Sequence, residues 1–191
     1  MTSDKALPVV LLTGAAATGK SSLGRLLAGR LRAALIDQDV ATQPLVDVVQ
    51  RLIGTEDLDD PRLAGVTRAA RYEVLTALAI DNLAAGVPVV LVAPYTAERA
   101  DPEAWAGLRA RLMAAGGAPL LVWLSLSGDE VLRRLRDRDA VRDRAKLLTG
   151  SGFVGRLPAL TAAPSVPHLA VPADLPARVL VWRVLEAIEA L

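Results

Sequence analysis

Cysteine is absent from the 191-residue sequence, and histidine occurs once, at His168. The first absence excludes disulfides, thiolate nucleophiles and cysteine-ligated zinc or iron–sulfur centres. The second excludes a histidine cluster around a metal. Aromatic residues make up only 3% of the chain, too few for a platform on which several bases stack. Charge of one sign is also missing. The 22 basic residues stand against 21 acidic ones, a formal net charge of +1, and that balance disfavours a nucleic-acid partner. The longest uncharged stretches, Leu112–Gly128 and Leu157–Pro167, are broken by Gly116-Gly117 and Pro119 or are proline-rich, so no membrane span is expected. Ala6–Leu12 is too short to act as a signal-peptide core, and the expected location is the cytoplasm. What is abundant is apolar material, 52% of residues. That suffices for the core of one domain spanning residues 1–191.

Short apolar runs alternate with helix-periodic stretches. Pro8–Thr13, Ala34–Ile36, Val87–Ala93, Pro119–Leu124 and His168–Val171 read as strands, continuous enough to be buried on both faces. Residues 20–33, 42–53, 61–85, 101–115, 127–136 and 175–191 read as helices. Leu23, Leu26, Leu27 and Leu31 share one stripe of the first helix. Five prolines between residues 158 and 176 mark an ordered loop. Trp105, Trp123 and Trp182 stand at apolar positions and are expected in the core. His168, beside prolines, is expected to be structural. The alternation predicts an α/β fold with a parallel sheet covered on both faces.

Gly14-Ala15-Ala16-Ala17-Thr18-Gly19-Lys20-Ser21 matches G-x-x-x-x-G-K-[ST] between a predicted strand and a predicted helix. Glycines at both ends allow a tight loop whose N–H groups face a phosphate. The helix N-terminus beyond adds its dipole. Residues 14–22, Ser22 included, are therefore the expected nucleotide-binding segment. Lys20 would reach the β- and γ-phosphates of ATP. Ser21 would offer its hydroxyl to Mg²⁺.

The only asparagine, Asn82, lies in a helix, so the base-recognition motif of GTPases is missing. The third strand ends Leu91-Val92-Ala93-Pro94-Tyr95 without an acid, which disfavours motor-type ATPases. Asp37 and Asp39 follow the second strand instead. In an extended chain they would point to one side, at the carboxyl ends of the strands where α/β sheets bind ligands. One could orient Mg²⁺ and the other accept a proton from an attacking hydroxyl; solvated loop carboxylates or helix caps are the plainer alternative. Arg133, Arg134, Arg136, Arg138, Arg142 and Arg144 interleave with Asp137, Asp139 and Asp143. Such a run is ordinarily a salt-bridged helix face. It also suits a lid over residues 138–153, with Arg138 and Arg142 brought onto the transferring phosphate.

Together the P-loop, Asp37-Gln38-Asp39 and the arginine-rich segment resemble the small P-loop kinases. This group includes the nucleoside monophosphate kinase-like enzymes with shikimate, gluconate and adenylylsulfate kinases, chloramphenicol phosphotransferase and zeta-toxin-type kinases. Val92–Arg99, Trp105, Val122-Trp123-Leu124 and Arg142–Leu147 are similar to bacterial sequences called AAA family ATPases. The resemblance implies a five-stranded parallel sheet of order 2-3-1-4-5, ATP as donor, Mg²⁺, and a small-molecule hydroxyl acceptor. It implies the acceptor or base position for Asp39 and a metal-side role for Asp37. It also implies an adenine site between a lid arginine and the loop Pro172–Pro176. The acceptor region lacks the fingerprints of shikimate, gluconate or nucleotide substrates. Arg68, Arg71, Tyr72 and Arg99 could grip an acidic or phosphorylated acceptor there, or lie at the surface. A toxin-like, nucleotide-sugar or nucleic-acid-end kinase, and a non-enzymatic nucleotide-binding regulator, are the alternative functions. No residue pattern fixes an oligomeric state.

Overall fold

Leu7–Thr13 forms β1, and Val9, Val10, Leu11 and Leu12 are all fully buried. Only a central strand covered on both faces buries four successive side chains. The computed structural model describes residues 5–55, 60–138 and 152–191. Around β1 run α1 (Lys20–Leu31), β2 (Ala34–Asp37), α2 (Gln38–Ile53), α3 (Pro61–Ala84), β3 (Val89–Val92) and α4 (Pro102–Ala114). Then follow β4 (Gly117–Ser125), α5 (Gly128–Arg138), α6 (Phe153–Thr161), β5 (Leu169–Pro172) and α7 (Ala177–Glu189). The five strands are parallel in the order β2-β3-β1-β4-β5, as the resemblance implied.

Alternation along β1 sorts the core into two layers. Val9 and Leu11 pack with Leu75, Ala79 and Leu83 of α3 and with Trp105 and Leu112 of α4. Val10 and Leu12 pack with Leu23 and Leu27 of α1 and with Leu180, Val184 and Ile188 of α7. A smaller cluster joins Ala15 of the loop after β1 to Val131 and Leu135 of α5 and Phe153 and Leu157 of α6. That cluster seats α5 and α6 beside the loop.

Several boundaries differ from the expected ones, for local reasons. α2 starts at Gln38 rather than residue 42, because the Asp37 carboxylate accepts a hydrogen bond from the Asp39 N–H and caps the helix. β4 starts at Gly117 rather than Pro119, since Gly117 pairs in register with Leu7. β3 is shorter than Val87–Ala93. Phe153–Thr161 is a helix where a loop was expected to begin at Pro158; Pro158 lies inside it. Trp105 is buried as expected, but Trp182 is 60% exposed on α7. His168 is structural: its Nδ1 lies 2.7 Å from the Val166 carbonyl and its ring meets Trp123 edge-on.

Candidate active site

The loop between β1 and α1 has the backbone that phosphate binding requires. Gly14 has φ +140° and Gly19 φ +88°, with Ala17 also left-handed at φ +60°. A Cβ on Gly14 would lie 2.6 Å from the Leu124 carbonyl oxygen, so only glycine lets β1 turn off against β4. Thr18 Oγ1 donates to the Ala15 carbonyl over 2.9 Å and braces the loop from inside. Gly19 is the N-cap of α1 and contributes no side-chain capping bond. The first N–H groups of α1 therefore face outward with their dipole, the arrangement that takes an anion. A Cβ on Gly19 would meet nothing within 4 Å. Ser22 is exposed one residue into the helix beyond Ser21. Lys20 Nζ donates to the Gly14 and Ala15 carbonyls at 2.9 and 2.7 Å, which keeps the ammonium over the loop.

Ser21 and Asp37, 16 positions apart, meet here: Ser21 Oγ donates to Asp37 Oδ2 over 2.6 Å. A serine hydroxyl and a carboxylate are hard oxygen donors suited to Mg²⁺. Among the described residues no group of three or more His, Cys, Asp or Glu could hold a metal. A hard cation at Ser21 and Asp37 therefore fits only if phosphate oxygens and water complete its shell.

Asp37 and Asp39 were expected in one extended segment, and the structure separates them. Asp37 ends β2 and is buried; Asp39 is in the first turn of α2, with its side chain 60% exposed. The helical turn separates them, so each takes its own partners. Arg71 Nη2 donates to Asp39 Oδ1 at 2.9 Å, and Arg71 Nε to Thr42 Oγ1 at 2.9 Å. Arg68, Arg71 and Tyr72 share one stretch of α3, and Arg68 donates to Thr96 Oγ1 in the loop after β3. Thr13 Oγ1 donates to the Pro94 carbonyl over 2.6 Å and ties that loop to β1.

Arg99, read from the sequence as an acceptor contact or a surface residue, is buried and engaged within the fold. It is 7% exposed, and its guanidinium donates to the carbonyls of Ala159, Leu160 and Ala162 at the end of α6. Those bonds engage it as an anchor for α6. Arg133 bonds Glu130 and Asp137, the salt-bridged face expected of the arginine run. The Arg133 guanidinium, and then that of Arg134, hold the Glu130 carboxyl down at about 2, below the usual range. Arg134 bonds Glu130 and also donates to the Ala173 carbonyl at 3.2 Å, joining α5 to the loop after β5. Arg138 is exposed at the end of α5. Arg142, and the expected lid apart from Arg138, Gly152 and Phe153, lie outside the described residues.

Three residues here were not singled out by the sequence: Gln38, Tyr95 and Glu98. Each has a buried polar side-chain atom with no hydrogen-bond partner among the described residues. Burial pushes the Tyr95 phenol well above its ordinary value, and raises the Tyr72 phenol and the Glu98 carboxyl. Nothing in residue type marks them, because their burial comes from strand order.

A family model described as an AAA domain matches residues 9–151. The chain is similar in structure to a candidate kinase from Chloroflexus aurantiacus J-10-fl, at 20% identity and TM-score 0.70, over 97% of this chain and 98% of that one. It is similar to a gluconokinase from Sinorhizobium meliloti 1021, at 21% identity and TM-score 0.61, over 97% and 94%. A shikimate kinase from Aquifex aeolicus matches at 19% identity and TM-score 0.62, over 95% and 96%. No curated protein matches the sequence. Likenesses at this level of identity establish a shared fold.

Proposed function

The chain belongs to the AAA domain family, and on that premise we propose that it is an ATP-dependent phosphotransferase acting on a hydroxyl of a small molecule. The observation that carries this reading is the Ser21–Asp37 pair beside Lys20, on a loop shaped for phosphate. It supports a point charge and hard oxygen donors for a cation acting on one bound anion. Lys20 exchanges the loop carbonyls for the phosphates of ATP. Ser21 and Asp37 would hold Mg²⁺, which would supply charge neutralisation during phosphoryl transfer. Asp39 orients the acceptor hydroxyl and takes its proton as the O–P bond forms and the bond to the bridging oxygen of ADP breaks. Arg71, paired to Asp39, fixes that carboxylate. Arg138 and Arg142 belong to this proposal as the arginines that close over the transferring phosphate, and the loop Pro172–Pro176 as the adenine side. Arg68 and Tyr72 border the acceptor.

A transfer screen with γ-labelled ATP and pooled hydroxyl compounds tests the reading. The wild-type chain is expected to label a product, and Lys20→Ala to label it roughly 10²–10³-fold more slowly. Tight ATP binding without transfer to any pool would favour a non-enzymatic nucleotide-binding regulator instead.

A further inference from the structure

Gln38 Nε2, Tyr95 Oη and Glu98 Oε2 are buried without a hydrogen-bond partner among the described residues. Gln38 and Tyr95 are 5% and 2% exposed. Gln38 follows directly on β2, whose last residue, Asp37, stands in register with Val92 of β3. Tyr95 and Glu98 lie in the chain that leaves β3 just beyond Val92. All three thus belong to the carboxyl ends of adjacent strands, the side of the sheet that carries the P-loop. Tyr95 has φ +44°, a conformation that a bulky residue adopts only where its surroundings impose it. Buried polar groups nearly always find partners, so three orphans at one end of a sheet point to a ligand.

The chemistry of that ligand follows from what is already paired. Arg68 is on Thr96, Arg71 on Asp39 and Thr42, and Arg99 on the carbonyls of α6. The atoms left to an acceptor are an amide donor, a phenol that donates and accepts, and a carboxyl oxygen that accepts. A carboxylate or phosphate only accepts, so it would leave Glu98 unserved and bring two acids together. An ammonium only donates, so it would leave the Gln38 amide unserved. Hydroxyl groups both donate and accept.

We propose that Gln38, Tyr95 and Glu98 form the specificity face of the acceptor site and select an uncharged polyhydroxylated acceptor, a sugar ring or cyclic polyol, over a hydroxy acid. The inference rests on the phosphotransferase reading above.

The test offers the wild-type chain γ-labelled ATP with myo-inositol, glucose and sorbitol as neutral polyols, gluconate and shikimate as hydroxy acids, and glucosamine as an amine. Label is expected in at least one neutral polyol, about tenfold faster or more than in any hydroxy acid or the amine. On the best acceptor, Tyr95→Phe, Gln38→Leu and Glu98→Gln should each lower kcat/KM about tenfold, chiefly through KM. Thermal melting shows whether each variant is folded, and the panel result decides alone for any that is not. Preference for gluconate, shikimate or glucosamine overturns this inference and leaves the phosphotransferase reading standing. So does full kcat/KM in folded Tyr95→Phe and Glu98→Gln. Nucleotide binding with no transfer to any member of the panel overturns both.

Discussion

Ser21 and Asp37 join the P-loop to the far strand of the half-sheet: the serine hydroxyl donates to Asp37 Oδ2 over 2.6 Å. β2 is not a neighbour of β1, since β3 lies between them. The bond therefore bridges across β3 by way of α1. The other carboxylate oxygen, Oδ1, accepts the Asp39 N–H at 3.1 Å and starts α2. One side chain thus holds the Ser21 hydroxyl, where the cation is proposed to sit, and sets the turn that presents Asp39.

Asp37→Asn separates these roles. Asparagine caps helices about as well as aspartate, so stability should hold, whereas Asp37→Ala should cost about 1 kcal/mol. The lost charge should raise the Mg²⁺ concentration needed for half-maximal transfer. Urea denaturation and a Mg²⁺ titration of transfer check the two halves. An unchanged Mg²⁺ requirement in Asp37→Asn would remove this carboxylate from the cation site.

Asp39→Asn should act the other way round. Its ion pair with Arg71 is largely exposed on the aspartate side, and exposed pairs contribute about 0–1 kcal/mol. The melting temperature should barely move. If it takes the acceptor's proton as proposed, it should be worth roughly 10²–10⁴-fold in kcat/KM for the acceptor, with ATP affinity little changed. Full transfer activity in this variant would move the base elsewhere.

Gly14 and Gly19 should respond differently to a methyl group. In Gly14→Ala the new Cβ would lie 2.6 Å from the Leu124 carbonyl, at φ +140°, so β1 and β4 must part. The cost is roughly 1–3 kcal/mol from strain alone, with the clash added. Gly19→Ala meets no atom within 4 Å and bears only the strain of φ +88°. Melting temperatures should therefore fall further for Gly14→Ala. The reverse order would mean that the approach of the loop to β4 is looser than described.

The P-loop was legible because its spacing dictates its geometry, and β1 because four successive buried apolar residues suit a central strand. The sheet order came through the resemblance. Other features depended on contacts that a linear pattern does not carry. Asp37 reads equally well as strand extension or helix cap, and the hydrogen bond to the Asp39 N–H decides for the cap. Phe153–Thr161 is short and contains Pro158, so it reads as loop; Phe153 and Leu157 packing against α5 make it a helix. Arg99 looks like any arginine after a strand until α6 sets three carbonyls around it. Trp182 follows the apolar pattern of α7 and still faces outward. Gln38, Tyr95 and Glu98 belong to two strand ends that only the parallel pairing of β2 with β3 places side by side.

Glu98 gives the pH dependence. Burial raises its carboxyl above the ordinary value of 4.5, and Arg68 opposes this only in part. The folded chain therefore holds this proton more tightly than the unfolded chain does. Its contribution to stability is fully present below about 4.5 and is lost as pH rises through the folded value. Above the folded value the wild-type chain carries a half-buried charge, and Glu98→Gln removes that charge without changing the shape. Glu98→Gln should therefore be more resistant to urea than the wild type at pH 7, and the advantage should shrink as pH falls toward 4.5. Urea midpoints for both chains across this range check it. A difference that stays constant with pH would mean that folding does not perturb this carboxyl, and that its burial has no electrostatic consequence.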